Sequence, residues 1–388
     1  MSPLPGIDPF TGDVIYSEAL LEQPPPGVTY VRYDDAAASG EIVEHGRRES
    51  IGAEDSLARR AVGLGRVARE HVVNMARNHD LLFREPFRFI EVVGQFDLVH
   101  NHTYSARWTG VPTAVLVSNA VPHSELYLRM RHWSPNKVRF ADTADRLLAR
   151  VLGVAHIVHG LGDVDRVVAF THVLGQMYLE HGVPADRLGV VPLFPSGMPA
   201  PPLRPSVPGR IGFVAQDFVA KGGDTVLEAM GRIRQRRPGA HLVVAGKTPA
   251  VSEAQLATEG VTWRGFLSRA ELLTEFLPAC RVFAYPSRFD GLPLTLLEAL
   301  GSGVPLVVSD YLGLPEIVGD GISGRVVPQD DPQAVADAVV DLLDPDTNAL
   351  ASAAARARYE STYSPASVLP LLRQNYDLAI EAHHRRRA

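Results

Sequence analysis

The chain contains 388 residues, of which 46% are hydrophobic and 21% are charged, and its formal net charge is −6. This length suits two domains of roughly 150 to 200 residues, and the negative charge argues against general affinity for nucleic acid or for an anionic membrane surface. The single cysteine, Cys280, excludes a disulfide framework. We find neither a signal-peptide pattern at the N-terminus nor an apolar run of ~18 residues, and we therefore expect a cytoplasmic protein without a transmembrane segment.

Short apolar segments alternate with helical patterns along the chain. In the first half these segments are FDLVHNH, PTAVLVSN, RVVAFTH and LGVVPLF; in the second half they are RIGFVAQ, HLVVAGK, VTWRGF, RVFAYPS, VPLVVSD and GRVVP. Alternating strands and helices are typical of parallel sheets that are covered by helices on both faces. The pattern predicts an α/β protein.

A proline-rich segment, PSGMPAPPLRPSVPG, separates the two halves. Its prolines cannot donate ladder hydrogen bonds, and it is longer than an ordinary α/β loop. We predict a first domain over residues 1–194, a linker over 195–208, a second domain over 209–364, and a final helix with its tail over 365–388. The apolar face of that helix is predicted to pack back onto the first domain, and its end, HHRRRA, is predicted to be frayed and solvated.

The segment GFVAQDFVAKGGDTVLEAM contains a strand, a glycine-rich loop and the start of a helix. Lys221 projects from this loop, where a cation can meet phosphate oxygens, and Gly222 and Gly223 let the backbone approach a ligand closely. Asp224 is predicted to cap the helix. A plain surface lysine is the competing interpretation, and the two glycines make it the less favoured one.

The segment PSRFDGLPLTLLEALGSGVPLVVSD places two acids, Asp290 and Glu298, eight positions apart around a turn. Gly291 and Pro293 supply the turn, and the first N–H groups of the helix that follows form a site suited to a phosphate or diphosphate. Glu298, about one helical turn further in, is placed to accept hydrogen bonds from vicinal ribose hydroxyls. On these residues alone, a helix cap and a solvated glutamate are an equally good interpretation.

These segments resemble the retaining nucleotide-sugar glycosyltransferases of GT-B fold, specifically family four. The resemblance runs from GRIGFVAQDFVAKGGDTVLEAM to GLPEIVGDGISGRVVPQDDPQAVADAV and covers the second predicted domain. It implies two Rossmann-like domains that face a central cleft. It also implies that Asp290 contacts the transferred sugar and that Glu298 holds the ribose of the nucleotide. By the same resemblance, the further donor-binding candidates are Phe266, Gly291, Leu292, Thr295 and Leu296.

The chain departs from the family pattern on the donor side. The family usually places an Arg five positions before the Lys of the loop, and together the two cations neutralise the departing diphosphate. Here that position holds Gln216, whose neutral amide supplies no charge, although Lys221 is retained. Such a loss can cost several kcal/mol of barrier. Lys247, at the end of the neighbouring strand, is placed to compensate, although an exposed loop lysine is an equally good interpretation.

The first domain resembles the family in FDLVHNHTYSARWTGVPTAVLVSNAVPHSE, which contains two strands that meet the cleft. The first strand ends in His100 and His102. The second ends in Asn119, where the family has a His, and His123 follows. The resemblance makes His102, Asn119 and His123 candidates for the acceptor side, although a histidine at a strand end is more often an ordinary polar residue.

The implied reaction moves a sugar from a nucleotide-diphosphate donor to a hydroxyl of a small molecule, lipid or polysaccharide, with retention at the anomeric carbon and without a metal or other cofactor. Two alternatives stay open. One is a nucleotide-sugar-binding protein that has lost transfer activity, which Gln216 and Asn119 motivate; the other is a GT-B sugar-nucleotide epimerase or phosphorylase. A dinucleotide oxidoreductase is disfavoured, because no G-x-G-x-x-G motif follows a strand and opens a helix.

Overall fold

The described residues of the computed structural model are 12–45, 88–102, 106–117, 164–199, 206–246, 258–288 and 290–388, together with a few isolated positions between 143 and 161. Three predicted site residues, Asn119, His123 and Lys247, lie outside the described residues. All the other predicted site residues fall within them.

The described elements of the N-terminal half are α1 (Gly12–Glu22), α2 (Tyr33–Ala38), β1 (Ile42–His45), β2 (Arg88–Val92), β3 (Val99–Asn101), β4 (Ala106–Thr109), β5 (Thr113–Val117), β6 (Arg166–Ala169), α3 (His172–Glu180) and β7 (Leu188–Val190). Four strands form a parallel sheet in the order β3-β5-β6-β7, which confirms the predicted α/β class. The sequence pattern did not predict the second sheet, which has the order β1-β2-β4 and joins β1 to β2 in antiparallel fashion.

The C-terminal half is a six-stranded parallel sheet covered by helices. Its elements are β8 (Arg210–Ala215), α4 (Gly223–Arg236), β9 (His241–Gly246), β10 (Val261–Gly265), a helical segment over 269–279, β11 (Val282–Tyr285), α5 (Leu294–Gly301), β12 (Leu306–Ser309), α6 (Leu314–Val318), β13 (Gly324–Val327), α7 (Pro332–Leu342), α8 (Pro345–Arg358), a π-helical turn (Tyr359–Tyr363) and α9 (Pro365–Arg387). The strand order is β10-β9-β8-β11-β12-β13, the order of a doubly wound Rossmann sheet.

The centre of this sheet determines where a ligand can bind. β8 and β11 lie side by side, and the sheet grows outward from this pair in both directions. The loop after β8 and the turn after β11 therefore leave the same edge of the sheet at the point where the strand order reverses. Every residue of β11 and β12 is buried, because helices cover both faces of a parallel sheet.

Helix α9 returns to the N-terminal half, as the sequence predicted. It packs against β5 and β6, and the Tyr376 hydroxyl lies 2.6 Å from the Tyr30 hydroxyl. The prediction of a frayed end was wrong, because α9 continues to Arg387. Asp165 accounts for this order: its buried carboxylate lies 3.0 Å from Nδ1 of His383 and also pairs with Arg386.

Candidate functional site

The loop after β8 and the turn after β11 are in direct contact. Gly222, which directly precedes α4, has a φ of +78°, a conformation that glycine adopts without the penalty of a Cβ atom. A Cβ at this position would also collide with the Pro286 carbonyl group. In this structure the glycine at position 222 therefore allows the loop after β8 to contact the turn after β11 closely.

Lys221 and Asp290 meet where these loops touch. The Lys221 Nζ atom lies 2.6 Å from Oδ2 of Asp290, and the Tyr285 hydroxyl donates a hydrogen bond to the same oxygen over 2.7 Å. Burial raises the pKa of the Tyr285 phenol well above its usual value, and the neighbouring Asp290 raises it further, so the hydroxyl keeps its proton and remains a donor. The structure thus brings together two residues that are 69 positions apart in the sequence.

Glu298 also has a cationic partner. Its side chain is buried on α5, with 2% of its surface exposed, and its Oε1 atom accepts a hydrogen bond from Nη1 of Arg269 over 2.5 Å. Burial raises the pKa of the Glu298 carboxyl, and Arg269 acts in the opposite direction. The second terminal nitrogen of Arg269 donates to the Ser196 carbonyl oxygen over 2.6 Å. Sequence reasoning missed Arg269, which precedes Glu298 by 29 residues.

The remaining donor-side candidates differ in how far they are buried. Leu292 and Leu296 are buried in the core, so their backbone groups are the parts that a ligand could contact. Thr295 is half-buried in the first turn of α5. Gln216 is exposed directly after β8, and Phe266 is exposed after β10, with 61% of its surface accessible.

Arg288, which sequence reasoning also missed, holds the Lys221 loop against the end of β11. Its two terminal nitrogens donate to the two carboxylate oxygens of Asp224 over 2.7 and 2.9 Å, and its Nε atom donates to Asp330 over 2.5 Å. The prediction that Asp224 caps α4 was wrong, because Gly222, two residues earlier, occupies the cap position and the Asp224 carboxylate binds Arg288. Since Arg288 already pairs with two acids, it is poorly placed to supply the charge that Gln216 lacks.

On the N-terminal side, His100 and His102 belong to a packed aromatic cluster at the end of β3. Their Nε2 atoms lie 3.0 Å apart, and Nδ1 of His100 contacts the Tyr376 hydroxyl of α9. Burial lowers the pKa of His102 to about 3 and that of His100 well below its usual value. Both imidazoles are therefore neutral near pH 7.

Contacts at Glu316 and Gly313 join the N-terminal and C-terminal halves of the fold. Glu316 of α6 accepts hydrogen bonds from the backbone N–H of His172 at 3.0 and 2.9 Å and lies 2.8 Å from its Nδ1 atom. Gly313 packs between the two halves: a Cβ there would lie 2.5 Å from the Gly291 carbonyl oxygen and 2.6 Å from Cγ2 of Thr171. These contacts place the Asp290 turn close to the N-terminus of α3.

Neither a membrane helix nor a metal cluster emerges from the part of the chain that the structure describes. No described helix is long and apolar enough to cross a membrane. Within the same residues, no group of three or more His, Cys, Asp or Glu side chains could hold a metal ion.

Residues 208–345 match the family described as "Glycosyl transferases group 1". Over 138 residues the chain is 30% identical to an alpha-D-kanosaminyltransferase of Streptomyces kanamyceticus, a match that covers 34% of this chain and 36% of that protein. Over 155 residues it is 33% identical to a GDP-mannose-dependent monoacylated alpha-(1-6)-phosphatidylinositol monomannoside mannosyltransferase of Corynebacterium glutamicum, covering 37% and 40%. The chain thus spans about two fifths of the length of these relatives.

Solved structures extend the likeness to both halves of the fold. Sucrose-phosphate synthase from Thermosynechococcus elongatus superposes with a TM-score of 0.55 at 19% identity, covering 74% of each chain. Anabaena Alr3699/HepE in complex with UDP and glucose superposes with a TM-score of 0.53 at 15% identity, covering 73% of this chain and 78% of that one. The chain has the GT-B fold, and its residues 208–345 are similar to the group 1 glycosyltransferases, the family that the sequence motifs resemble.

Proposed function

We propose that the protein is a retaining glycosyltransferase that moves a sugar from a nucleotide-diphosphate donor to a hydroxyl acceptor. The observation that carries this proposal is the contact of Lys221 with Asp290, a cation and an acid at the ends of the two central strands of the sheet. Ligands of open α/β sheets bind at this strand-order reversal. The similarity of residues 208–345 to the group 1 glycosyltransferases supports a nucleotide-sugar donor as the substrate class.

The proposed roles follow from the chemistry of each side chain. Lys221 stabilises the negative charge that develops on the departing diphosphate, helped by the N-terminus of α5. Asp290 accepts hydrogen bonds from hydroxyls of the transferred sugar, while Glu298 accepts them from the ribose of the nucleotide. Because Lys221 pairs with Asp290, donor binding in this proposal replaces part of the ion pair with phosphate and sugar contacts.

The proposed reaction needs no protein nucleophile. The bond between the anomeric carbon and the diphosphate oxygen breaks, and the diphosphate leaves with the electron pair. The acceptor oxygen bonds to the anomeric carbon on the same face, and its proton passes to the leaving phosphate. The products are the glycosylated acceptor and a nucleotide diphosphate, and charge stabilisation by Lys221 supplies the main catalytic effect.

Similar proteins narrow the choice of donor. One relative is named as GDP-mannose-dependent, and one structural neighbour contains UDP. We propose a GDP- or UDP-sugar as the donor of this protein. The acceptor is a hydroxyl of a small molecule, a lipid or a polysaccharide.

One observation favours a second candidate, a protein that binds nucleotide sugars without transferring them. Gln216 is exposed directly after β8, at the position where the resemblance calls for an Arg, and a neutral amide cannot offset diphosphate charge. Donor binding would then survive while transfer is slow or absent. Measured turnover separates the two candidates.

Thermal unfolding with a panel of UDP-, GDP-, ADP- and dTDP-sugars tests the proposal first. A donor at one hundred times its dissociation constant stabilises the folded state by about 2.7 kcal/mol, and we expect this with a UDP- or GDP-sugar. Release of nucleotide diphosphate in the presence of a mixed pool of hydroxyl acceptors then measures turnover. Absence of stabilisation by every donor would refute the proposed site.

A further inference from the structure

Arg269 contacts both helix α5 and the segment that joins the two halves of the chain. Its guanidinium group donates to the Glu298 carboxylate over 2.5 Å and to the Ser196 carbonyl oxygen over 2.6 Å. Ser196 belongs to the segment that joins the N-terminal half to β8, and Glu298 lies on α5. One third of the Arg269 side chain is exposed, whereas Glu298 is almost wholly buried.

A buried carboxylate needs a counter-charge to remain ionised. Glu298 sits on a helix whose other buried residues are apolar, among them Leu297 and Leu300. Among the residues that the structure describes, the titratable groups that face it are the Arg269 guanidinium, from the helical segment, and the Tyr359 phenol, from the π-helical turn. Tyr359 is a neutral phenol with a raised pKa, so the positive charge facing Glu298 comes from Arg269.

We infer that Arg269 is a positioning residue for donor binding, which keeps the Glu298 carboxylate ionised and fixed in orientation for the ribose hydroxyls while anchoring the segment at Ser196. This inference rests on the ribose-binding role proposed for Glu298. Two ribose hydroxyls donate hydrogen bonds to an ionised carboxylate, whereas a protonated carboxyl has one oxygen converted to a donor. Nucleotide affinity therefore depends on the charge state of Glu298, and that charge state depends on Arg269.

The geometry of arginine matters as well as its charge. The planar guanidinium group reaches two acceptors at once, the Glu298 carboxylate and the Ser196 carbonyl oxygen. A lysine at this position would keep the charge but would lack the fork. Arg269→Lys is therefore expected to leave Glu298 ionised and to weaken nucleotide binding modestly, whereas Arg269→Gln removes the charge.

A purely structural ion pair would behave differently. Loss of a structural Arg269 would lower stability at every pH and would leave the pH dependence of nucleotide affinity unchanged. Loss of a positioning Arg269 raises the pKa of Glu298 further, so the fraction of ionised Glu298, and with it the affinity, increases as the pH rises. Below the pKa, affinity falls by up to about tenfold for each pH unit.

The test is calorimetric titration of the full chain with UDP and with GDP at pH 6.5, 7.5 and 8.5. The variants are wild type, Arg269→Gln, Arg269→Lys and a matched control, Arg232→Gln, which removes the same charge from an exposed position in the second half of α4. The terminal phosphate of the nucleotide has a pKa near 6, and its titration is common to all four proteins. We expect the gain in affinity from pH 6.5 to 8.5 to be larger in Arg269→Gln than in wild type, by up to about tenfold for each pH unit over which Glu298 titrates, with Arg269→Lys and Arg232→Gln following wild type.

A double-variant cycle completes the test. It remains informative even if the Arg269→Gln protein folds poorly. Combining Arg269→Gln with Glu298→Gln removes both charges of the pair, so no unpaired buried charge remains. If Arg269 acts through Glu298, the double variant binds UDP or GDP as weakly as Glu298→Gln alone, and neither shows the extra pH dependence. A double variant several times weaker than Glu298→Gln, or a pH profile of Arg269→Gln equal to that of wild type, would overturn the inference. Wild type that binds neither UDP nor GDP would refute the proposed donor site itself, and the inference with it.

Discussion

Lys221 and Asp290 form an ion pair of 2.6 Å between loops that follow the two central strands of the C-terminal sheet. The Tyr285 hydroxyl donates to the same carboxylate oxygen from the end of β11. The contacts with Lys221 and Tyr285 fix where the Asp290 carboxylate lies. The acid that is proposed to contact the sugar is thus held in place by two neighbouring side chains.

Replacing Lys221 tests the cation. In an active transferase that has Gln216 instead of an Arg, Lys221 carries most of the charge that stabilises the departing diphosphate. Lys221→Ala should therefore lower kcat/KM by two or more powers of ten, which corresponds to about 3 kcal/mol of transition-state stabilisation. Lys221→Arg, which keeps the positive charge, serves as the control and should retain much more activity than the alanine variant. Equal activity of the two variants would remove Lys221 from the proposed mechanism.

Replacing Asp290 separates sugar binding from nucleotide binding. Asp290→Asn keeps the shape of the side chain and removes its charge, so the affinity for free UDP or GDP should stay nearly unchanged while turnover falls. Tyr285→Phe removes the hydrogen bond to the same oxygen, and it should lower kcat by a smaller factor because Lys221 still holds the carboxylate. Calorimetry and initial rates measure the two effects. Parallel losses of nucleotide affinity and turnover in Asp290→Asn would contradict this division of roles.

Features of the site that lie within one short segment of the sequence were predictable, whereas contacts between residues far apart in the sequence were mostly not. The Lys221 loop and the Asp290 turn each lie within one strand–loop–helix segment, whose pattern of glycines and apolar residues predicts its local structure. Their contact follows from the topological rule for parallel sheets. The role of Arg269 was not predictable in this way. A helical sequence pattern does not indicate which carboxylate, many residues away, will pair with an arginine on the helix.

The errors have similar physical causes. Asp224 is a residue type typical of a helix cap, but its carboxylate pairs with Arg288, which follows β11. The tail of α9 looks frayed in sequence, yet the helix continues to Arg387, and Asp165, more than 200 residues upstream, pairs with it. The hydrogen bond from the His172 backbone N–H to Glu316 likewise joins separate halves of the fold. Pairs of this kind are set by tertiary structure and leave no local signal in the sequence.

The buried histidines predict a dependence of stability on pH. Burial lowers the pKa of His102 to about 3 and that of His100 well below 6.5, whereas both residues titrate near 6.5 in the unfolded chain. Below pH 6.5 the unfolded state therefore binds protons that the folded state does not, and stability falls as the pH decreases. Each histidine can contribute up to about 1.4 kcal/mol per pH unit.

Urea unfolding followed between pH 7.5 and 5.0 measures this effect. His102→Gln should reduce the slope of stability against pH, while His384→Gln, at an exposed position near the end of α9, should leave it unchanged. If His102→Gln and wild type lose stability equally, other groups dominate the acid response.

Replacing Gln216 tests whether the protein is a transferase or a protein that only binds donors. Its side chain is exposed directly after β8, so an arginine can be accommodated there without displacing buried groups. In an active transferase, Gln216→Arg adds a second cation near the departing diphosphate and should leave kcat/KM unchanged or raise it, by up to tenfold for about 1.4 kcal/mol of added stabilisation.

Gln216→Arg should also partly restore activity to Lys221→Ala, because both cations would interact with the same phosphates. Gln216→Lys is the matched control for charge without the planar fork of arginine. A wild-type protein that binds a UDP- or GDP-sugar but neither transfers nor hydrolyses it, and that stays inactive as Gln216→Arg, would instead be a nucleotide-sugar-binding protein.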